Sequence, residues 1–251
     1  MSEQHELKNR VALVTGASSG IGRAVCLALA KKGARLAIVG RRLDSLTALK
    51  ATIEELGGEA FPLAVDLRDE SGIKSAFDAV SRKWNGVDIL VNSAGLGRAA
   101  PLSSGKDEDF REMLEVNALA LAIVTREAIT SMQRRNVAGH IVHVSSMSAY
   151  RVQGDTGMYA ATKHAVRAMT EGLRQELRQA GSPIRISSVS PANTDTEFMD
   201  RMLGKAKAKE NRPEYRQLEP EDVADAVLYL LSTPSHVEIN DILMRPTNQP
   251  D

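Results

Sequence analysis

Hydrophobic residues along this chain fall into two rhythms that take turns. Short β-branched and aliphatic runs, "VALVT" from Val11, "RLAIVG" from Arg35, "AFPLAV" from Ala60, "DILVN" from Asp88, "HIVHVSS" from His140 and "IRISSVS" from Ile184, read as strands. Between them lie longer helical patterns at 20–32, 43–56, 70–84, 108–134 and 158–180. Strand and helix in alternation predict parallel strands joined by crossover helices, and hence an α/β fold with a doubly wound, Rossmann-like sheet. A further helix, "EPEDVADAVLYLLS" from Glu219, opens with a proline and acids suited to a first turn. A last strand near "EINDILM" brings the parallel sheet to seven strands flanked by helices. No linker or repeat interrupts the series, so residues 1–251 are expected to form one domain.

One stretch breaks the rhythm. Residues 195–217, "DTEFMDRMLGKAKAKENRPEYRQ", are longer than an ordinary connection and mix apolar residues with many charges. We read this stretch as a lid over a substrate, with a solvated surface helix as the other reading.

Composition narrows the function. Lysine plus arginine, 32, equals aspartate plus glutamate, 32, so no overall field draws the chain to nucleic acid or an anionic membrane. A charged ligand must be held locally. The single cysteine, Cys26, sits in the apolar stretch "AVCLALA" and reads as core in a reducing compartment. The start, "MSEQHELKNR", is polar, and no run approaches the roughly 18 apolar residues of a membrane span. A soluble cytoplasmic protein is expected.

Local chemistry begins where the first strand runs into "TGASSGIGRAV". Gly16, Gly20 and Gly22 let the backbone turn tightly at a helix amino terminus, whose unpaired N–H groups and partial positive charge suit a phosphate. One βα unit later the second strand ends in "IVGRRL". An acid at that point binds a ribose 2′-hydroxyl, whereas arginine accommodates a 2′-phosphate. Gly40 removes the acid, and Arg41 and Arg42 follow, so NADP(H) is the expected cofactor. Two solvated arginines opening a helix are the alternative. Farther on, Tyr159 and Lys163 stand four residues apart and so share a helical face.

The glycine turn, "NSAG" at 92–95, Asn117, the serine pair at 145–146 and Tyr159-x-x-x-Lys163 occur in the order and spacing of the short-chain dehydrogenase/reductase family, which the chain resembles over nearly its whole length. The resemblance implies that Gly16, Ser18, Ser19, Gly20 and Ile21 surround a cofactor pyrophosphate. Asp66, with Leu67, would lie by the adenine, unless Asp66 is simply a polar strand end. Asn92 and Ala94 would support the site, although Ser93 stands where the family usually has a second asparagine. In "SPANTDTEF" Pro191 opens the turn beside the nicotinamide, and Thr194 and Thr196 are both candidates for its carboxamide. Ala192 replaces the family's glycine there. If that turn needs positive φ, alanine is strained by about 1 kcal/mol or more.

Hydride transfer between a nicotinamide and a carbonyl or alcohol needs a group that gives or takes a proton. A free tyrosine has a pKa near 10, and a nearby ammonium lowers it, so Lys163 is expected to activate Tyr159. Ser146 would hydrogen-bond the substrate oxygen, leaving Ser145 structural. The resemblance implies that Asn117 holds a water linked to Lys163 and that Lys163 also binds the nicotinamide ribose. Phe198, Met199, Met202 and Leu203 in the lid suit an apolar or variable substrate. Arg98, Arg151 or Arg201 would serve a carboxylate. The carboxy-terminal "LSTPSHVEINDILMRPTNQ" looks like the branch that holds NADP-dependent 3-hydroxy acid dehydrogenases and steroid and carbonyl reductases. A small-molecule carbonyl or secondary alcohol is therefore the favoured substrate, a 3-hydroxy acid the runner-up, and a non-catalytic NADP(H) sensor the reading from another class. The family also implies a homotetramer or homodimer packed through the helices near 108–134 and 158–180.

Overall fold

The computed structural model describes residues 7–250, so the polar start at 1–6 lies outside the described residues. The apolar runs become seven strands: β1 (Val11–Thr15), β2 (Arg35–Gly40), β3 (Glu59–Ala64), β4 (Ile89–Asn92), β5 (His140–Val144), β6 (Arg185–Pro191) and β7 (Asp241–Met244). They pair in parallel in the order β3-β2-β1-β4-β5-β6-β7. Along β1 the alternation is visible in what each residue touches. Ala12 and Val14 join the core with Leu29 of α1 (Gly20–Lys31), Ile53 of α2 (Leu43–Glu55) and Val227 of α9 (Pro220–Ser232). Val11 and Leu13 join the opposite core with Phe77 of α3 (Glu70–Trp84), Val124 of α5 (Ala120–Arg134) and Leu177 of α6 (Gly157–Gln179). Both faces are covered, which is why these strands read as continuous apolar runs. Pro62 sits in β3, at the sheet edge, where a missing N–H costs little.

The strand order reverses at β1, and Thr15 stands level with both Val39 of β2 and Asn92 of β4. Such a switch point leaves a crevice beyond the carboxyl ends of the two central strands.

One expectation changes. The helix expected over 108–134 is three pieces: α4 (Asp107–Leu114), a π turn (Glu115–Leu119) and α5. The wider turn carries Asn117 into the interior, where it is 1 % exposed, while Leu114 and Leu119 remain on the surface. Ala192 is unstrained. The non-glycine residues at positive φ among those described are Asn9, Asn85 and Asn136, and the Ala192 N–H donates to the Met244 carbonyl at 2.9 Å. The turn after β6 follows the ladder toward β7 and needs no glycine.

Residues 195–217 fold as two short helices, α7 (Phe198–Leu203) and α8 (Lys205–Glu210). A backbone clasp closes their base: Asp195 N–H donates to Leu218 O at 2.7 Å and Leu218 N–H to Asn193 O at 3.0 Å.

Candidate active site

A cleft of about 660 Å³ opens at the switch point, within the size range of small-molecule sites. Its floor is the glycine turn. Gly16 adopts φ +69°, and a Cβ there would stand 2.8 Å from the Ala94 Cα, so the turn lies directly on the segment after β4. A Cβ on Gly22 would meet the Gly16 carbonyl at 2.4 Å, so α1 closes equally tightly on the turn. Thr15 fixes the opposite wall, its Oγ1 accepting from the N–H groups of Ser93 and Ala94, each at 3.1 Å. Ser18, Ser19, Gly20 and Ile21 line the cleft. Ser19 is the N-cap of α1 and its side chain makes no capping bond, so the helix's positive end is open to an anion.

Toward β2 the lining continues through Gly40, Arg41, Arg42, Asp66 and Leu67. Arg42 donates to the Ser18 carbonyl at 3.3 Å and to Ser18 Oγ at 3.4 Å. Its guanidinium also stands 3.7 Å from Glu197, the N-cap of α7. Asp66 is gripped by both forks of Arg68, whose hydrogen bonds hold its carboxyl down to about 2. It is therefore an oriented, ionised acceptor.

At the other end, β5 delivers Val144, Ser145 and Ser146 to the cleft, and α6 delivers Tyr159 and Lys163. Ser146 caps a short 3₁₀ turn by accepting from Ser148 N–H at 3.1 Å, and its side chain is close enough to act on the Tyr159 phenol. Lys163 Nζ donates to the Val144 carbonyl at 3.1 Å and lies 5.8 Å from the centre of the Tyr159 ring. One expectation is corrected here. Tyr159 is not lowered by Lys163: burial pushes it up to about 12, against a smaller downward pull from Ser146. Burial also brings Lys163 down to about 8. Both charged forms lose hydration, and the ammonium is turned toward a carbonyl rather than the phenol oxygen.

Asn92 and Asn117 also depart from expectation. Neither side chain lines the cleft. Asn92 is 3 % exposed and its Nδ2 donates to Thr125 Oγ1 at 2.9 Å, inside the core. Asn117 accepts from Leu96 N–H at 2.9 Å and donates to Leu96 O at 2.8 Å and Thr162 Oγ1 at 3.1 Å. Its amide thus pins the cleft wall at Leu96 to α6, one residue from Lys163, and both its N–H groups are already bonded.

Pro191, Thr194 and Thr196 line the cleft where β6 leaves the sheet. Thr194 spends its hydroxyl hydrogen on the Ala192 carbonyl at 3.1 Å, whereas Thr196 Oγ1 accepts from Phe198 N–H at 3.2 Å and keeps its hydrogen for another acceptor. Above them α7 forms a roof. The Phe198 ring lies 5.4 Å from that of Tyr159, and a Cβ on Gly97 would stand 2.8 Å from Phe198 Cζ. Met199 and Met202 line the cleft beside it; Leu203 does not. Arg98 is bonded to Glu112 and near Asp109, and Arg201 is bonded to Glu197 and, at 3.3 Å, to Ser19 Oγ. Arg151 also lines the cleft. Sequence reasoning missed Arg245 and Gln249, which reach the cleft from the chain's end; Gln249 Oε1 accepts from Asn193 N–H at 3.4 Å. The carboxy-terminal stretch that holds them, 231–249, was read for its family branch and not for the cleft.

Together these features fit a dinucleotide: an open helix terminus, guanidinium groups one βα unit away, and Ser145 Oγ, a buried hydroxyl in the cleft lining without a protein partner. No group of histidine, cysteine or carboxylate side chains among the described residues is arranged to hold a metal.

The fold and cleft define a nucleotide-binding α/β protein. The family model described as short chain dehydrogenase matches residues 10–207, and the chain belongs to this family of oxidoreductases. It is 46 % identical over 249 residues, covering 96 % of each chain, to human "Dehydrogenase/reductase SDR family member 11". It is 37 % identical over 244 residues to "Farnesol dehydrogenase" of Aedes aegypti, covering 96 % of this chain and 97 % of the relative. Among solved structures, the closed form of serine dehydrogenase complexed with NADP⁺ superposes with a TM-score of 0.90 at 31 % identity, covering 96 % of each chain.

Proposed function

We propose that the protein is an NADP(H)-dependent oxidoreductase that interconverts a carbonyl and a secondary alcohol, with Tyr159 as the general acid and base. The observation that carries this reading is the half-buried Tyr159 phenol, flanked by Ser146 and backed by Lys163, at the inner end of a cleft whose other end suits a phosphate. When bound, the nicotinamide supplies or accepts the hydride. For reduction, Ser146 holds the substrate oxygen and Tyr159, neutral at physiological pH, donates its proton there as negative charge develops. For oxidation Tyr159 must first lose that proton to solvent, and the phenolate then accepts the alcohol's proton; Lys163, held on the Val144 carbonyl, lies behind the ring. Asn117 keeps α6 and the Leu96 wall in register.

The cofactor would lie with its pyrophosphate on Gly16, Ser18, Ser19, Gly20 and Ile21, its 2′-phosphate by Arg41 and Arg42, its adenine by Asp66 and Leu67, and its nicotinamide end by Ala94, Pro191 and Lys163. Thr196 is the better candidate for the carboxamide, since its hydroxyl hydrogen is uncommitted. The NADP⁺ complex of the serine dehydrogenase relative supports the choice of NADP(H). The segment 195–217 serves as lid to this one domain.

Phe198, Met199 and Met202 over Tyr159 favour an apolar carbonyl or alcohol, in keeping with the name of the mosquito relative. A 3-hydroxy acid is the second reading. Serine is one, and Arg151 is in the cleft, but Arg98 and Arg201 already face carboxylates. Leu114 and Leu119, exposed beside α5, support assembly into a homodimer or homotetramer through this helix pair. The buried lone Cys26 suits a cytoplasmic location, and among the described residues no helix is long and apolar enough to cross a membrane. Absorbance of reduced nicotinamide, with NADP⁺ or NAD⁺ and a panel of secondary alcohols, sterols and 3-hydroxy acids, tests the reading. NADP⁺ reduction by one substrate group is expected. Tight NADPH binding with no reacting substrate would favour a sensor.

A further inference from the structure

Behind the cleft a line of polar side chains crosses the core. Asn92 at the end of β4 stands beside His143 of β5 in the ladder, and Thr125 of α5 bridges them. On the far side His143 reaches Thr170 of α6. All four are nearly buried, with exposures of 3 %, 1 %, 6 % and 3 % for Asn92, His143, Thr125 and Thr170.

The directions of the bonds follow from Thr170. Its hydroxyl donates to the Val166 carbonyl at 2.7 Å, so toward His143 Nδ1, at 2.8 Å, it must accept. Nδ1 therefore carries the imidazole hydrogen. Nε2 then accepts from the Thr125 hydroxyl at 3.1 Å, and the Thr125 oxygen accepts from Asn92 Nδ2 at 2.9 Å. Each hydrogen has one acceptor, and the imidazole is neutral.

We propose that His143 is a positioning residue for the proton-transfer pair, its Nδ1–H bond to Thr170 setting the height of α6 against β5. The next residue on β5, Val144, offers the carbonyl that receives Lys163 Nζ, and Ser146 stands two residues beyond that. On α6, Thr170 follows Lys163 by seven residues, two helical turns, so both point at β5 from one face. The strand and helix are thus joined at two heights, and the lower joint fixes where the upper one places Lys163 and Tyr159. Valine or threonine would fill a strand position as well, but only a ring with a donor on one side and an acceptor on the other completes both ends of this line. Lys163 is the charged group that acts on His143.

This inference rests on the proposed role of Tyr159, and its test separates the two. Three variants of the full chain are compared with the wild type and with Tyr159→Phe. His143→Asn keeps an amide N–H near the place of Nδ1, toward Thr170. His143→Gln reaches toward Thr125 and gives up Thr170. Thr170→Val removes the acceptor and keeps the shape, so it carries the test even where His143→Gln is not recovered folded. The expected result is a kcat about tenfold lower in His143→Gln and Thr170→Val, near-normal kcat in His143→Asn, and NADPH Kd within about twofold throughout. A kcat unchanged in His143→Gln and Thr170→Val, with wild-type turnover still dependent on Tyr159, overturns the positioning role alone. Losses equal in the Asn and Gln variants overturn it too. Wild-type turnover that survives Tyr159→Phe overturns the reading of the site and this inference with it.

Discussion

The ring of Phe198, on helix α7, leans against the ring of Tyr159 with centroids 5.4 Å apart and planes inclined by 56°. This aromatic residue thus shapes the space in which a substrate oxygen would meet the phenol. Phe198→Ala removes that wall, and KM for apolar ketones should rise about tenfold with a smaller change in kcat. Steady-state kinetics on a ketone series checks this; a KM independent of residue 198 would place the substrate elsewhere.

Arg42 already hydrogen-bonds the glycine turn through Ser18 and stands 3.7 Å from Glu197, so it is held at the cleft edge. Arg42→Ala should weaken NADPH about tenfold and leave NADH affinity nearly unchanged, because only the 2′-phosphate loses a partner. Fluorescence titration of both nucleotides reads the difference directly. Equal losses would mean that Arg42 acts through the turn rather than through the phosphate.

Burial pushes Tyr159 up to about 12, so the neutral phenol dominates through physiological pH. Carbonyl reduction, which uses that form, should be nearly flat from about pH 6 to about pH 8. Alcohol oxidation uses the phenolate, whose share rises about tenfold per pH unit below the pKa, so oxidation should climb with pH over the same range. An oxidation rate already level at neutral pH would show that the phenolate is present there, against the effect of burial.

His140 and His143 are both buried and both pushed down to about 3, mainly by loss of hydration. In the unfolded chain each takes a proton near pH 6.5, so between there and their folded values the unfolded state binds more protons. Stability present above about pH 6.5 is therefore lost as pH falls, at up to about 1.4 kcal/mol per unit per histidine. Urea titrations at several pH values should show this slope, and His143→Asn should reduce it. A slope unchanged in that variant would assign the acid sensitivity to other groups.

The parallel sheet was readable in the sequence because both of its faces are covered, which leaves apolar runs with few alternatives. The limits of the segment 195–217 were readable, since the clasp of Asp195 with Leu218 falls where charged residues replace the helical rhythm. What pattern could not carry was side-chain direction. Asn92 sits in the motif beside the cleft yet points into the core, because Thr125, far away in sequence, offers it a buried oxygen. The π turn at Glu115–Leu119 adds one residue to a helical turn without changing its composition, so an unbroken helix was the natural expectation. The spacing of Tyr159 and Lys163 put both on one face but could not show that Lys163 Nζ turns to the Val144 carbonyl, or that burial would raise Tyr159. Arg245 and Gln249 reach the cleft only because β7 returns the chain's end beside β6.

The most direct test of the central claim is nicotinamide absorbance with purified wild-type and Tyr159→Phe protein, using NADPH and a reactive carbonyl, alongside NADPH titration of both. Removing one phenol oxygen should lower kcat about a hundredfold or more while NADPH affinity stays nearly the same. Turnover that persists near the wild-type rate in Tyr159→Phe would contradict proton transfer through this residue.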